Sequence, residues 1–142
     1  FIIYKGMDDC IFCKIIKGEI PSYKVYEDEK VLAFLDINPL SKGHTLVLPK
    51  QHFETVLDIP SDLYSYLAQI VQRVARNLNE KYKPEGILIN QNNGERAGQV
   101  IPHVHIHVKP IYKDTQMVSE ASLRKSFTKE EMESFAKELS FK

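Results

Sequence analysis

No apolar run in this sequence exceeds the short stretch Val31 to Leu35, far below the ~18 to 20 residues that a membrane-spanning helix requires. A transmembrane helix is excluded on that ground, and no membrane partner is expected. Glycine and proline are sparse, 6 and 7 of 142 residues, which sets aside collagen-like and low-complexity chains. Neither sign of charge prevails. Nineteen Lys and Arg face nineteen Asp and Glu, so nothing drives the chain toward phosphate backbones, and no nucleic-acid partner is expected. Phe1 to Gly6 lack the length, the basic start and the cleavage site of a secretory signal. They precede the first methionine, Met7, and are read as a cloning remnant or an upstream extension, outside the fold argument. There are two cysteines, Cys10 and Cys13. A disulfide between them would close a very small loop, and a chain without export signals is expected in the reducing cytoplasm. Metal binding or redox chemistry is therefore the sharper question.

What is present fits one folded unit. With 142 residues, 43% of them apolar and 27% charged, the composition is that of a globular domain with a single core. Residues 10 to 17 read as a short N-terminal helix or turn, ended by Gly18 and Pro21. Lys24 to Glu27 and Val31 to Asp36, separated by a turn at Asp28 to Lys30, read as a hairpin. His44 to Leu48 is a third strand, stopped by Pro49. Leu63, Leu67, Ile70, Val71, Val74 and Leu78 recur at three- and four-residue steps and predict a long amphipathic helix from Ser61 to Lys81. Gly86 to Asn90 is a strand, Asn92 to Gly98 a polar loop, and His103 to Lys109 a final strand of strict alternation. Near the end, Thr128 and Glu131 have capping-box spacing and predict another helix. Turn-joined strands with one long helix between them predict an α+β fold on an antiparallel sheet.

The chemistry concentrates in His103-Val104-His105-Ile106-His107-Val108. Successive strand side chains point to opposite faces, so the three histidines share one face while the valines and isoleucine pack on the other. Imidazoles titrating near pH 6.5 serve as nucleophiles and proton carriers at neutral pH. One metal held by all three is disfavoured, because His103 and His107 stand about 13 Å apart on a strand. The preceding loop, Asn92 to Gln99, offers amides and glycine-freed N–H groups suited to phosphate oxygens, and His44 could add a fourth imidazole. The CxxC remains open between a metal site, a redox pair and two buried thiols.

The HVHIHV run preceded by AGQVIP resembles the signature of the histidine triad (HIT) family of nucleotide hydrolases and transferases. CIFCKIIKGEIPSYKVYED, AFLDINPLSKGHTLVLPKQH and NQNNGERAGQ follow in the family's order and spacing. The form is similar to bacterial and archaeal members of the Hint-like branch that carry the CxxC. The resemblance covers about Asp9 to Pro110 and implies a HIT domain with a five-stranded antiparallel sheet, one long helix and a short N-terminal helix. Residues 111–142 would be a helical C-terminal extension packed on the same domain.

The resemblance also implies roles. His105 would attack the α-phosphorus of a nucleotide, giving a nucleotidyl-histidine that water resolves. His107 and His44 would stabilise the phosphate, Asn92 and Gln99 would add hydrogen bonds, and Asp36 would take the ribose hydroxyls. Ile20, Phe34 and Ile37 would wall the base, although ordinary core packing explains such residues equally well. Cys10, Cys13, His52 and His103 would hold a structural zinc, with no catalytic metal required. Where eukaryotic relatives carry a serine shortly after GQ, this chain has Val100, which cannot donate a proton to a leaving amine. The expected activity is hydrolysis of purine nucleoside phosphoramidates or adenylates by a homodimer. The alternatives are dinucleoside polyphosphate hydrolysis and a zinc-braced nucleotide-binding interaction module.

Overall fold

The computed structural model describes residues 9–142, so Phe1 to Gly6 lie outside the described residues. Within them, α1 (Ile11–Ile16) is followed by β1 (Lys24–Glu27), β2 (Val31–Leu35), β3 (Thr45–Pro49) and α2 (Ser61–Tyr82). β4 (Gly86–Asn90), β5 (Ile106–Ile111) and α3 (Lys129–Leu139) complete the chain. The strands form one sheet in the order β1-β2-β3-β5-β4, and every neighbouring pair is antiparallel. The α+β architecture predicted from the strand and helix patterns is the one observed.

The hairpin turn is built by Asp28. One carboxylate oxygen accepts from the backbone N–H groups of Lys30 and Val31, each at 2.8 Å. The other accepts from the hydroxyls of Tyr26, at 2.7 Å, and Tyr66. Burial pushes this carboxyl upward, but the hydrogen bonds from Tyr66, Tyr26 and the two amides outweigh it and hold it at about 2. Because Tyr66 belongs to α2, the same carboxylate ties the hairpin to the long helix.

The sheet is covered on both sides, which is why β2 and β3 read as almost continuous apolar runs. Val31, Ala33, Val47, Val104, Ile106 and Val108 pack against Leu67, Ile70, Val71 and Val74 of α2. On the other face Leu32, Phe34, Leu46 and Leu48 pack against Cys10, Phe12, Cys13 and Ile15. The apolar stripe of α2 thus covers one face, while α1 covers only part of the other.

Several boundaries differ from the sequence expectation; β3 begins at Thr45 rather than His44, β5 runs on to Ile111 and α2 to Tyr82. β5 starts at Ile106 rather than His103, because the backbone before it bonds elsewhere: the Val104 N–H donates to the Phe53 carbonyl at 2.7 Å. The alternation of side chains persists through this irregular stretch. Val104 lies in the α2-side core, while His103 and His105 are buried on the opposite side. β3 extends through Pro49, which needs no N–H at a strand end and offers its carbonyl to His103. β2 ends at Leu35, since Asp36 turns its carboxylate to cap the Asn38 N–H at 2.8 Å. The capping box of Thr128 and Glu131 opens α3 as expected, and every residue of that helix is exposed.

Candidate active site

On the α1 side of the sheet lies a cavity of about 500 Å³. The ends of β2 and β5, the loop after β4 and the N-terminal segment enclose it. Of the residues singled out in the sequence, His105, His107, Asp36, Asn92, Ile20, Phe34 and Ile37 all line it. Its apolar wall includes Phe12, whose ring meets that of His105 edge-on with centroids 4.9 Å apart.

The protonation pattern of the histidines follows from their fixed partners. A backbone carbonyl can only accept, so the 2.7 Å contact between His105 Nδ1 and the His103 carbonyl places the proton of a neutral His105 on Nδ1. Nε2 then keeps its lone pair. A backbone N–H can only donate, so the Leu40 N–H, 3.0 Å from His44 Nδ1, makes that nitrogen an acceptor. His44 Nε2 accordingly carries the proton and donates to His107 Nδ1 at 2.9 Å. The proton of His107 is therefore left on Nε2. Two neighbouring rings, 5.0 Å apart between centroids, thus hold opposite tautomers: one presents a lone pair, the other a donor.

Burial keeps these rings neutral. It lowers His105, against the upward pull of the hydrogen bond to the His103 carbonyl. Burial, then the nearby His105, Lys109 and His44, bring His107 down to about 4. His44 is lowered chiefly by burial, although the carboxylate of Asp36, 3.6 Å away, pulls it up.

Two of the expected residues are not among those lining the cavity. Gln99 is one of them. Its Oε1 accepts from the Gly94 N–H at 2.7 Å, and its Nε2 donates to the carbonyls of Glu54 at 2.6 Å and Ile101 at 3.1 Å, so it braces the loop from within. His44 likewise stands behind His107 rather than lining the cavity, and acts on it through the ring-to-ring hydrogen bond. Asn92 does line the cavity, and its amide also bonds the Ala97 carbonyl at 2.8 Å. Gly98 makes that approach feasible: it has φ +91°, and a Cβ there would stand 2.7 Å from the Asn92 amide nitrogen.

Sequence reasoning missed Asn90 and Lys109. Asn90 pairs with His107 across β4 and β5, donates to Asn92 at 2.8 Å, and has a buried side-chain oxygen with no partner among the described residues. Nothing in the pattern of GILIN marks it. Lys109 was legible: the alternation that puts His105 and His107 on one face continues to it.

His103 is drawn into a second cluster. Its Nε2 donates to the Pro49 carbonyl at 2.8 Å, which frees Nδ1 toward Cys10 Sγ at 3.5 Å, Cys13 Sγ at 3.6 Å and His52 Nδ1 at 3.1 Å. Cys13 Sγ and His52 Nδ1 are 3.3 Å apart. A tetrahedral zinc with Zn–S of about 2.3 Å and Zn–N of about 2.0 Å would separate such donors by roughly 3.3 to 3.6 Å. The four residues fit a zinc ion, and the carbonyl that orients His103 is the outer partner usual for such ligands. Burial, then the adjacent Cys10, push the Cys13 thiol up to about 12. Metal capture must displace that proton and is favoured as pH rises. One ion spanning the whole triad is ruled out by this arrangement, since His103 belongs to the cysteines and His105 and His107 to the cavity.

Comparison with known proteins agrees with this geometry. The HIT domain family model matches residues 17–114. The Bacillus subtilis protein named Protein hit is 50% identical over 105 residues, covering 74% of this chain and 72% of its own. A Candida albicans adenosine 5′-monophosphoramidase, HNT1, is 47% identical over 105 residues, 71% of this chain and 69% of its own. An Arabidopsis thaliana adenylylsulfatase, HINT3, is 39% identical over 118 residues, 83% of this chain and 60% of its own. Among solved structures, a HIT family protein from Bacillus anthracis superposes with a TM-score of 0.83 at 38% identity, over 93% of this chain and 95% of that one. A zinc-bound histidine triad family protein from Mycobacterium smegmatis gives a TM-score of 0.74 at 36% identity, over 89% and 88%. With its sheet order, its histidine-lined cavity and these matches in agreement, the chain belongs to the histidine triad family.

Proposed function

We propose that the chain is a nucleotide hydrolase that cleaves purine nucleoside phosphoramidates or related adenylates at the α-phosphorus through a covalent nucleotidyl-histidine. The observation that carries this reading is the hydrogen bond from His105 Nδ1 to the His103 carbonyl, which leaves an unprotonated Nε2 beside the cavity. That lone pair attacks the α-phosphorus, a nitrogen–phosphorus bond forms, and the bond to the leaving group breaks with its electron pair going to the leaving group. Water then attacks the same phosphorus, the nitrogen–phosphorus bond breaks with its pair returning to His105 Nε2, and the nucleoside monophosphate leaves as the water gives up a proton to solvent. The Nε2–H of His107, set by His44, donates to a phosphate oxygen as charge grows there. Asp36 takes the ribose hydroxyls, and Ile20, Phe34 and Ile37 hold the base. The relatives named monophosphoramidase and adenylylsulfatase support this substrate class.

Val100 favours a second reading of the leaving group. A departing amine needs a proton, and an exposed valine in the loop before the triad supplies none. Anionic leaving groups such as sulfate or a polyphosphate need no such proton, so dinucleoside polyphosphates belong among the substrates to be tried. The same proposal takes Cys10, Cys13, His52 and His103 as a closed Cys2His2 zinc site that braces the strand carrying the triad. It also takes the protein to be a cytoplasmic homodimer. Strand β4 lies at the sheet edge with Leu88 and Ile89 exposed, which supports that last point.

Three outcomes follow. Replacing His105 with Asn keeps an N–H for the His103 carbonyl but removes the nucleophile. AMP release should fall on the order of 10³-fold or more, and the adenylyl adduct visible by intact-mass spectrometry should vanish. An unchanged rate would refute the covalent route. Burial lowers His105 below the ordinary imidazole value, so its neutral, nucleophilic form persists below pH 6.5. The acid limb of the kcat/KM profile should therefore lie below 6.5, whereas a limb centred at or above 6.5 would contradict the burial argument. Elemental analysis should find about one zinc per chain, lost in Cys13→Ser, and chelation should lower Tm. Zinc-free protein of undiminished Tm would remove the structural zinc.

A further inference from the structure

Among the described residues lining the cavity, Lys109 is the one lysine or arginine and Asp36 the one carboxylate. The half-buried Lys109 follows His107 by one alternation of β5, opposite Leu88 of the edge strand. No salt bridge occupies its ammonium among the described residues. The oxygens of Asp36 are engaged elsewhere, one accepting from the Asn38 N–H at 2.8 Å and the other 3.6 Å from His44. A lysine so placed can lay its methylenes along the apolar wall and keep its ammonium at the cavity, where an anion can reach it.

The remaining polar groups of the cavity explain what the charge is for. The imidazoles and amides offer an anion hydrogen bonds, and among the described lining residues Lys109 alone brings a permanent positive charge. Its Cα lies beyond that of His107 as counted from His105, about 6.7 Å from the first and about 13 Å from the second along an extended chain, which directs the ammonium to the part of the cavity beyond His107. We propose that Lys109 binds a second anionic group of the substrate, a phosphate or sulfate separate from the phosphate at His105. The substrates are then nucleotides carrying two separated anions. The inference rests on the reading that a nucleotide phosphate meets His105, and it adds a residue that selects among such nucleotides.

The second anion has two sources, the 5′ chain beyond the α-phosphorus or the ribose itself. Equilibrium binding distinguishes them without requiring turnover. Affinities for AMP, ADP and adenosine 3′,5′-bisphosphate are measured on the full chain and on Lys109→Met and Lys109→Arg. In the parent, one of the two doubly phosphorylated nucleotides should bind at least about tenfold more tightly than AMP. ADP as the tighter ligand places the anion on the 5′ chain, and the bisphosphate places it on the ribose. Lys109→Met should abolish the gain and Lys109→Arg should retain it. A gain that survives in Lys109→Met, the absence of any gain in the parent, or a loss of AMP affinity by the same factor would overturn the proposal. AMP binding without a gain would defeat the role of Lys109 alone, whereas a parent that binds none of the three would defeat the nucleotide reading and this inference with it.

Discussion

The site depends on one hydrogen bond, from the Nδ1–H of His105 to the carbonyl of His103. A free imidazole exchanges its proton between two nitrogens, and a nucleophile that spends part of its time as the wrong tautomer is wasted for that part. Here the acceptor is main chain, fixed by covalent geometry two residues away, and burial removes the water that would otherwise compete for the ring. The same device recurs with opposite sign at His44, where a main-chain donor, the Leu40 N–H, sets the ring that then sets His107. Backbone groups that cannot change role thereby fix the protons of three imidazoles.

Because the His103 carbonyl carries that role, whatever holds residue 103 in place also holds the ring of His105. His103 is fully buried and bonded to the Pro49 carbonyl at the end of β3. Its other nitrogen faces two thiols and His52 in an arrangement of zinc dimensions. Next to it, Val104 fixes the chain from the opposite side, in the core against α2, and bonds the Phe53 carbonyl. The irregular backbone just before β5 is thus tied to the geometry of the histidines. Backbone groups that a regular strand would use in the ladder are free to orient side chains.

Much of this was visible in the sequence because alternation is a local property. Val104, Ile106 and Val108 against His103, His105 and His107 declare two faces wherever the chain is extended, and the structure keeps both. The spacing of Leu67, Ile70, Val71 and Val74 likewise fixed the buried stripe of α2. Partners distant in sequence were harder to read. That Gln99 turns inward to Glu54, and that His44 stands behind His107, are outcomes of tertiary packing between segments more than forty residues apart. The family resemblance named both residues but not the directions in which they face. Lys109 obeyed the alternation and was passed over because the triad ends before it.

The most direct test of the central claim is the tautomer of His105 itself. Nitrogen-15 NMR of the imidazole side chains at pH 7 reports which ring nitrogen carries the proton, without requiring any substrate. The account predicts a neutral His105 protonated at Nδ1 with an unprotonated Nε2. A ring protonated at Nε2, or an imidazolium at that pH, would contradict it.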